Sequence, residues 1–216
     1  ARACGATLRP AECDRSVVDD AIERRASELE SQGRRPYAIP RGGATAVGAL
    51  GFADAAFEVC GQLDDLAIDP GRATIVLPVG SGASLAGFMA GTAAMGLDWR
   101  VVGVSVSRPS AQMSAHVATL STACSALMGT ISAASGTFTL VDFGMESDAL
   151  EGDGGGARLM RESEGILLDS HYGISAFDVA MELPATEREP VVLWQTGGLP
   201  AAIEFLSVSD SVVMGR

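Results

Sequence analysis

The stretch of residues 73–108 most constrains what this chain can fold into. It holds a β-branched strand (ATIVLPV), a glycine-rich turn, a helix of small residues and a second strand (RVVGVSV), which together predict a βαβ unit. At such a turn, glycines let the backbone approach a ligand, and the N–H groups that open the helix favour an anion. The sequence therefore predicts a phosphate site at residues 80–84, although a strand-to-helix turn that binds nothing has the same spacing.

Strand and helix patterns alternate along the rest of the chain. This alternation predicts an α/β fold with a doubly wound, mainly parallel sheet. A chain of 216 residues with 47% hydrophobic content is long enough to form a single α/β domain over residues 1–216. We expect residues 1–35 to form a strand and a helix that lead into it. The acidic, glycine-rich residues 144–156 are expected to form a mobile loop, because they have little apolar surface to bury.

Further elements are predicted from the same patterns. Strands are expected at 6–10, 36–40, 138–143, 165–168 and 190–195. Helices are expected at 17–32, 44–63, 111–131, 158–163, 175–183 and after Pro200. Ligands of parallel α/β sheets bind beyond the carboxyl ends of the strands. The loops at 41–43, 80–84, 169–173 and 196–198 should therefore meet there.

Charge and composition exclude several classes of function. A net charge of −12 argues against nucleic acid as a partner, since binding phosphates requires a basic surface. No apolar run is long enough to cross a membrane, and no leader pattern marks secretion. The four cysteines have no CxxC spacing, so we expect reduced thiols, no metal site and a cytoplasmic protein.

The chain contains no lysine. All 15 residues in the combined Lys and Arg count are Arg, which an arginine-biased codon usage can produce. Whatever the origin of this bias, no side chain of this sequence can form a Schiff base with an aldehyde.

Five segments carry a resemblance to a known family, in register across most of the chain. They are residues 37–51, 80–84, 102–108, 164–169 with Tyr172, and 196–198. Their order and spacing resemble the D-cysteine desulfhydrase and 1-aminocyclopropane-1-carboxylate (ACC) deaminase family. These are pyridoxal-phosphate enzymes of the tryptophan synthase β type, with the fold type II large domain.

The resemblance implies a role for each matching residue. It implies that the cofactor phosphate is held by backbone N–H groups and by the Ser81 and Ser84 hydroxyls. It also implies that Tyr172 lies on the substrate side of the cofactor ring, as the candidate catalytic residue. The cofactor-binding residues it implies are Gly80, Ser81, Gly82, Ala83, Ser84, Thr196, Gly197 and Gly198.

The chain also departs from the family pattern. Family members carry, in an N-terminal third, the lysine that bonds to the cofactor, and this sequence starts after that region. Gly173 stands where the family has a polar residue. The phosphate site is thus expected to be kept, whereas the covalent chemistry is not encoded in this sequence.

Three interpretations stay open. In the first, the missing segment lies on another polypeptide or was removed, and this chain is the large domain of an amino-acid lyase or deaminase that eliminates C–S or C–N bonds. In the second, a lysine-free relative binds a phosphate-bearing ligand or catalyses a different reaction. In the third, the turn belongs to an NADP-binding Rossmann domain, in which Ser107 and Arg108 accept the 2′-phosphate.

The first interpretation also implies partners. A large domain without its N-terminal region exposes apolar surface, so we expect a homodimer or a complex with a second chain that carries the lysine. The ligand is expected to be a small amino acid or a phosphate-bearing molecule.

Overall fold

A computed structural model describes residues 4–10, 17–97, 99–130, 138–142, 155–185, 189–199 and 203. The chain divides into two compact units, Ala1–Ala44 and Thr45–Arg216. The expectation of one domain preceded by a leading segment stays a prediction.

The first unit contains one α-helix among its described residues. Helix α1 (Val18–Ser31) is followed, after an irregular stretch, by a 3₁₀ turn at Arg41–Gly43. Asp19 of α1 binds this turn, accepting from the Arg41 N–H at 2.9 Å and from Arg41 Nε at 3.3 Å. The strands predicted at 6–10 and 36–40 were wrong, because both stretches are irregular. Prolines at both ends of 36–40 remove N–H donors that a strand needs for pairing.

The second unit is built on a parallel sheet. Its described strands are β1 (Thr74–Val79), β2 (Arg100–Ser105), β3 (Phe138–Asp142) and β4 (Val191–Leu193). They lie in the order β3-β2-β1-β4, and each neighbouring pair is parallel. This confirms the predicted α/β class. In the centre of the sheet, Val76 lies opposite Val102 on one side and Leu193 on the other.

Helices cover both faces of this sheet. The helices are α2 (Ala46–Asp65), α3 (Ala83–Met95), α4 (Ser110–Leu127), α5 (Gly155–Leu159), which continues into a π-helical turn at Met160–Glu164, and α6 (Gly173–Glu182). Val102 and Val104 of β2 pack with Ala176 of α6. Gly103, between them, faces Leu85 of α3 on the opposite side. Alternate residues of one buried strand thus contact the two helix layers.

Small residues allow α2 and α3 to pack very closely. A Cβ added at Gly87 would lie 2.8 Å from Phe52 Cβ, and one at Gly91 would lie 2.9 Å from Ala56 Cβ. Both positions are buried and cannot hold a larger side chain without separating the helices. The Gly- and Ala-rich helix α2 therefore packs closely against α3.

The remaining differences from prediction lie after α4. The strand predicted at 165–168 was wrong: Gly165 has φ +67°, ends the π-helical turn, and leads into an irregular stretch. Helix α4 ends at Leu127 instead of residue 131. Gly155 and Gly156, predicted within the mobile loop, belong to α5. The rest of that loop, and the helix after Pro200 apart from one residue, lie outside the described residues. Among the described helices, none is long and apolar enough to cross a bilayer.

Candidate active site

The glycine turn (residues 80–84) joins the end of β1 to the start of α3. Gly82 precedes the helix with φ +93°, a left-handed conformation that only glycine adopts without strain. The first helical bond runs from the Ala86 N–H to the Gly82 carbonyl at 2.9 Å, so the N–H groups of residues 83–85 precede the helical ladder. No side chain in the described part of the chain caps this helix. The turn therefore presents a helix N-terminus that an anion can cap.

Burial leaves part of the glycine turn accessible. Gly82 and Ala83 are buried, whereas Gly80, Ser81 and Ser84 are partly exposed. The two serines thus lie on the part of the turn that is not fully buried, and their role as ligands of the phosphate stays a prediction.

Residues from beyond β2 hold the glycine turn from one side. The Ser107 hydroxyl donates to the Gly80 carbonyl, and His116 Nε2 on α4 lies 3.1 Å from the Ser81 carbonyl oxygen. A Cβ at Gly82 would lie 3.1 Å from His116 Cδ2 and 3.2 Å from Met113 Sδ. The contribution of His116 was missed at the sequence level, because it is 35 positions away and no local pattern marks it.

Tyr172 lies against the glycine turn. A Cβ placed on Gly80 would meet Tyr172 Cε1 at 2.9 Å and its hydroxyl oxygen at 3.1 Å. The tyrosine is 38% exposed, and His171 packs edge-on against its ring with centroids 4.5 Å apart. The phenol is thus beside the predicted phosphate site and accessible from solvent.

Asp169 fixes the loop that carries Tyr172. Its carboxylate is 1% exposed and accepts three backbone N–H groups, from His171 at 3.0 Å, Tyr172 at 2.7 Å and Gly173 at 2.9 Å. Bonds from N–H groups to an ionised carboxylate are among the stronger hydrogen bonds in proteins. The backbone at Tyr172 is therefore held firmly at the start of α6.

The loop after β4 packs on the same carboxylate. Gly198, at φ +99°, has Asp169 Cγ only 2.7 Å from where its Cβ would be. Gln195 Nε2 donates to the Leu167 carbonyl at 3.0 Å. Thr196 and Gly197 are exposed, and their binding to the cofactor stays a prediction.

Asp169 and Tyr172 therefore join three segments of the site. Tyr172 contacts the glycine turn, and Asp169 contacts the loop after β4. These segments follow the carboxyl ends of β1 and β4 or precede α6. Three of the four loops predicted to meet are therefore in contact, whereas a place for residues 41–43 beside them stays a prediction. In the sequence, Asp169 is recognisable only as part of a motif. Its contacts with both loops depend on the three-dimensional fold.

The arrangement fits the phosphate of pyridoxal phosphate. Gly80 and Gly82 place no side chain at two positions of the turn, no described side chain caps the helix N-terminus, and Ser81 and Ser84 are partly exposed. Nothing in the chain fits the aldehyde, because the sequence has no lysine. Among the described residues, no cluster of His, Cys, Asp or Glu could hold a metal ion.

Comparison with known proteins assigns the class. A family model described as pyridoxal-phosphate dependent enzyme matches residues 1–197, and the chain belongs to this family. The cofactor that this membership indicates is pyridoxal phosphate. The comparison therefore favours the pyridoxal-phosphate interpretation of the glycine turn over the dinucleotide one.

Individual relatives have the names of the enzymes that the five sequence segments resemble. D-cysteine desulfhydrases of Salmonella newport (strain SL254) and Salmonella typhimurium (strain LT2) are 29% identical over 200 residues, which is 89% of this chain and 60% of theirs. A crystal structure described as an ACC deaminase homologue matches with a TM-score of 0.76 and 28% identity, over 96% of this chain and 64% of that one. The predicted family resemblance is confirmed. The chain spans about 60% of the length of the curated relatives it matches.

Proposed function

We propose that this chain supplies the phosphate- and ring-binding part of a pyridoxal-phosphate-dependent lyase or deaminase that acts on a small amino acid. The observation that carries the proposal is the contact between Tyr172 and Gly80. It places a phenol beside a glycine turn that is shaped for a phosphate, within a chain of the pyridoxal-phosphate family. The names of the relatives suggest D-cysteine and ACC as the first substrates to test.

Each part of the site has a separate task in this proposal. When bound, pyridoxal phosphate withdraws electrons from the α-carbon of an amino acid. The glycine turn binds the phosphate through N–H groups, with Ser81 and Ser84 adding hydroxyl donors. Asp169 holds Tyr172 in place, and the Tyr172 hydroxyl orients the substrate or holds a proton beside the ring.

The amine that bonds to the cofactor comes from outside these 216 residues in this proposal, because they include no lysine. Another segment of a longer protein or a partner chain would supply it. We also propose a homodimer or hetero-complex and a cytoplasmic location. The free thiols of Cys4, Cys60 and Cys124 agree with a reducing compartment.

Cofactor titration tests the proposal directly. Pyridoxal phosphate added to the protein should raise its melting temperature. The shift in visible absorption that accompanies a Schiff base should appear only when the segment or chain that carries the lysine is also present. Saturation at about 100 times Kd should add about 2.7 kcal/mol to the free energy of unfolding. Stabilisation by NADP, with no response to pyridoxal phosphate, would refute the lyase proposal in favour of the dinucleotide one.

A matched pair of glycine variants locates the binding site. Gly82 and Gly96 flank the two ends of α3, both have positive φ, and a Cβ at Gly96 meets nothing within 4 Å. Alanine at either position adds the strain of a left-handed conformation, about 1–2 kcal/mol. Only Gly82→Ala should weaken cofactor binding. Equal affinity in the two variants would place the phosphate elsewhere.

The source of the amine can be traced chemically. Borohydride reduction in the presence of pyridoxal phosphate attaches the cofactor to a polypeptide with a reactive lysine, and mass spectrometry identifies that polypeptide. We expect the label on a segment or chain outside these 216 residues. Binding of pyridoxal phosphate with no labelled polypeptide and no turnover of D-cysteine or ACC would support the second interpretation, a repurposed relative.

A further inference from the structure

Two consecutive carbonyl groups of the glycine turn accept hydrogen bonds from side chains. The Gly80 carbonyl accepts from the Ser107 hydroxyl. The Ser81 carbonyl oxygen lies 3.1 Å from His116 Nε2. Ser107 follows β2, and His116 lies on α4, so both donors reach the turn from outside the βα unit that forms it.

The imidazole must be the donor in its bond. A carbonyl oxygen has no proton to give, so His116 Nε2 carries the hydrogen. His116 is partly buried, and its Cδ2 would lie 3.1 Å from a Cβ on Gly82. The ring is thus packed on the turn as well as bonded to it.

These two bonds set the direction of two N–H groups. The peptide unit is planar and trans, so its C=O and N–H point in opposite directions. A bond that holds the Gly80 carbonyl toward Ser107 directs the Ser81 N–H the other way. The bond to His116 likewise directs the Gly82 N–H away from α4.

We propose that Ser107 and His116 are positioning residues for the phosphate site. They touch no ligand. They hold two peptide planes so that the Ser81 and Gly82 N–H groups face the dianionic phosphate before it binds. This inference rests on the proposed function, because it assigns a task within the same site. Preorganised donors bind more tightly, since the turn loses less freedom on binding.

The test compares two ligands that differ only in the phosphate. Dissociation constants for pyridoxal phosphate and for pyridoxal are measured with the unmodified protein and with Ser107→Ala and His116→Ala. Each variant should raise the Kd for pyridoxal phosphate about three- to tenfold and leave the Kd for pyridoxal unchanged. A variant that only loosened the fold would weaken both ligands alike.

Two further variants separate positioning from general stability. His116→Gln keeps an N–H donor at a similar reach and should restore most of the affinity for pyridoxal phosphate. Thr119→Ala is the matched control. It removes a hydroxyl that donates to the Ala115 carbonyl at 3.0 Å on the same helix, without touching the turn. It should leave both dissociation constants unchanged.

Each outcome has a distinct meaning. Unchanged affinity for pyridoxal phosphate in Ser107→Ala and His116→Ala would overturn the inference and leave the proposed function standing. An equal loss for both ligands, with no rescue by His116→Gln, would overturn it too. Failure of the unmodified protein to bind pyridoxal phosphate or inorganic phosphate would overturn the proposed function together with the inference.

Discussion

The same substitution, glycine to alanine, should have opposite effects on the two helices that pack together in the second unit. Gly51 lies on the exposed side of α2, where a Cβ would meet nothing within 4 Å. Gly87 lies on the buried side of α3, where a Cβ would be 2.8 Å from Phe52 Cβ and 2.9 Å from the carbonyl carbon of Ala49. Gly51→Ala and Gly87→Ala therefore isolate the effect of close packing.

The magnitudes follow from these distances. In an open helix position, alanine is favoured over glycine by about 0.5–1 kcal/mol, because glycine loses more backbone entropy on folding. At Gly87 the same gain is opposed by steric overlap between the added Cβ and α2. The Ala49 carbonyl oxygen would lie nearer still to this Cβ, and ordinary contact begins at 3.4 Å, so the helices must separate by more than ~0.6 Å. Overpacking of this kind destabilises a core by about 1–3 kcal/mol.

Denaturant unfolding and thermal melting measure both variants. Gly51→Ala should raise the free energy of unfolding by about 0.5–1 kcal/mol. Gly87→Ala should lower it by about 2 kcal/mol net, because a clash with a backbone carbonyl puts the overpacking cost near the upper end of its range. For a chain of this size, about 1 kcal/mol corresponds to a shift in Tm of about 2–4 °C. A stabilising Gly87→Ala would refute the close approach of α2 and α3.

Two other predictions concern carboxylates. Asp169→Asn should lower the free energy of unfolding by about 1–3 kcal/mol, because the amide nitrogen of Asn would face a backbone N–H that the carboxylate now accepts. The same change should weaken pyridoxal phosphate binding by loosening Tyr172, and unchanged stability in guanidinium would contradict the buried bonding described for Asp169. Burial, with a smaller contribution from Glu182, raises the pKa of Asp178, so its charged form is disfavoured in the fold and wild-type stability falls as pH rises through the raised pKa. Asp178→Asn should therefore stabilise the protein at neutral pH but not below about pH 4, the usual carboxyl pKa, as unfolding midpoints at both pH values would show.

Local signals predicted the centre of the fold well. Strands β1 and β2 and the turn before α3 were expected from β-branched runs and paired glycines, and these signals depend on neighbouring residues only. The predicted strand at 165–168 failed for the opposite reason. Its run of apolar residues reflects burial of Leu168, but a strand also requires a partner edge, which a short sequence window does not reveal.

The loops that form the candidate site could be predicted from the sequence, whereas the side chains that bond to the glycine turn could not. The glycines, Tyr172 and the loop after β4 carry recognisable motifs. Ser107 and His116, in contrast, bond to residues 27 and 35 positions earlier. Such bonds depend on how β2 and α4 lie beside the turn. Ser107 was considered in the sequence only as a 2′-phosphate ligand, whereas in the structure its hydroxyl bonds the backbone.

The positions of the aromatic residues affect the fluorescence of the protein. The ring of Phe88 lies between the chain's two tryptophans, with centroids 5.2 Å from Trp99 and 4.7 Å from Trp194. Trp194 directly precedes the loop that reaches Asp169. Pyridoxal phosphate absorbs near-ultraviolet light at the wavelengths that tryptophan emits, so a cofactor beside that loop would quench the intrinsic fluorescence. The protein thus contains its own reporter of occupancy, and binding can be followed without any label.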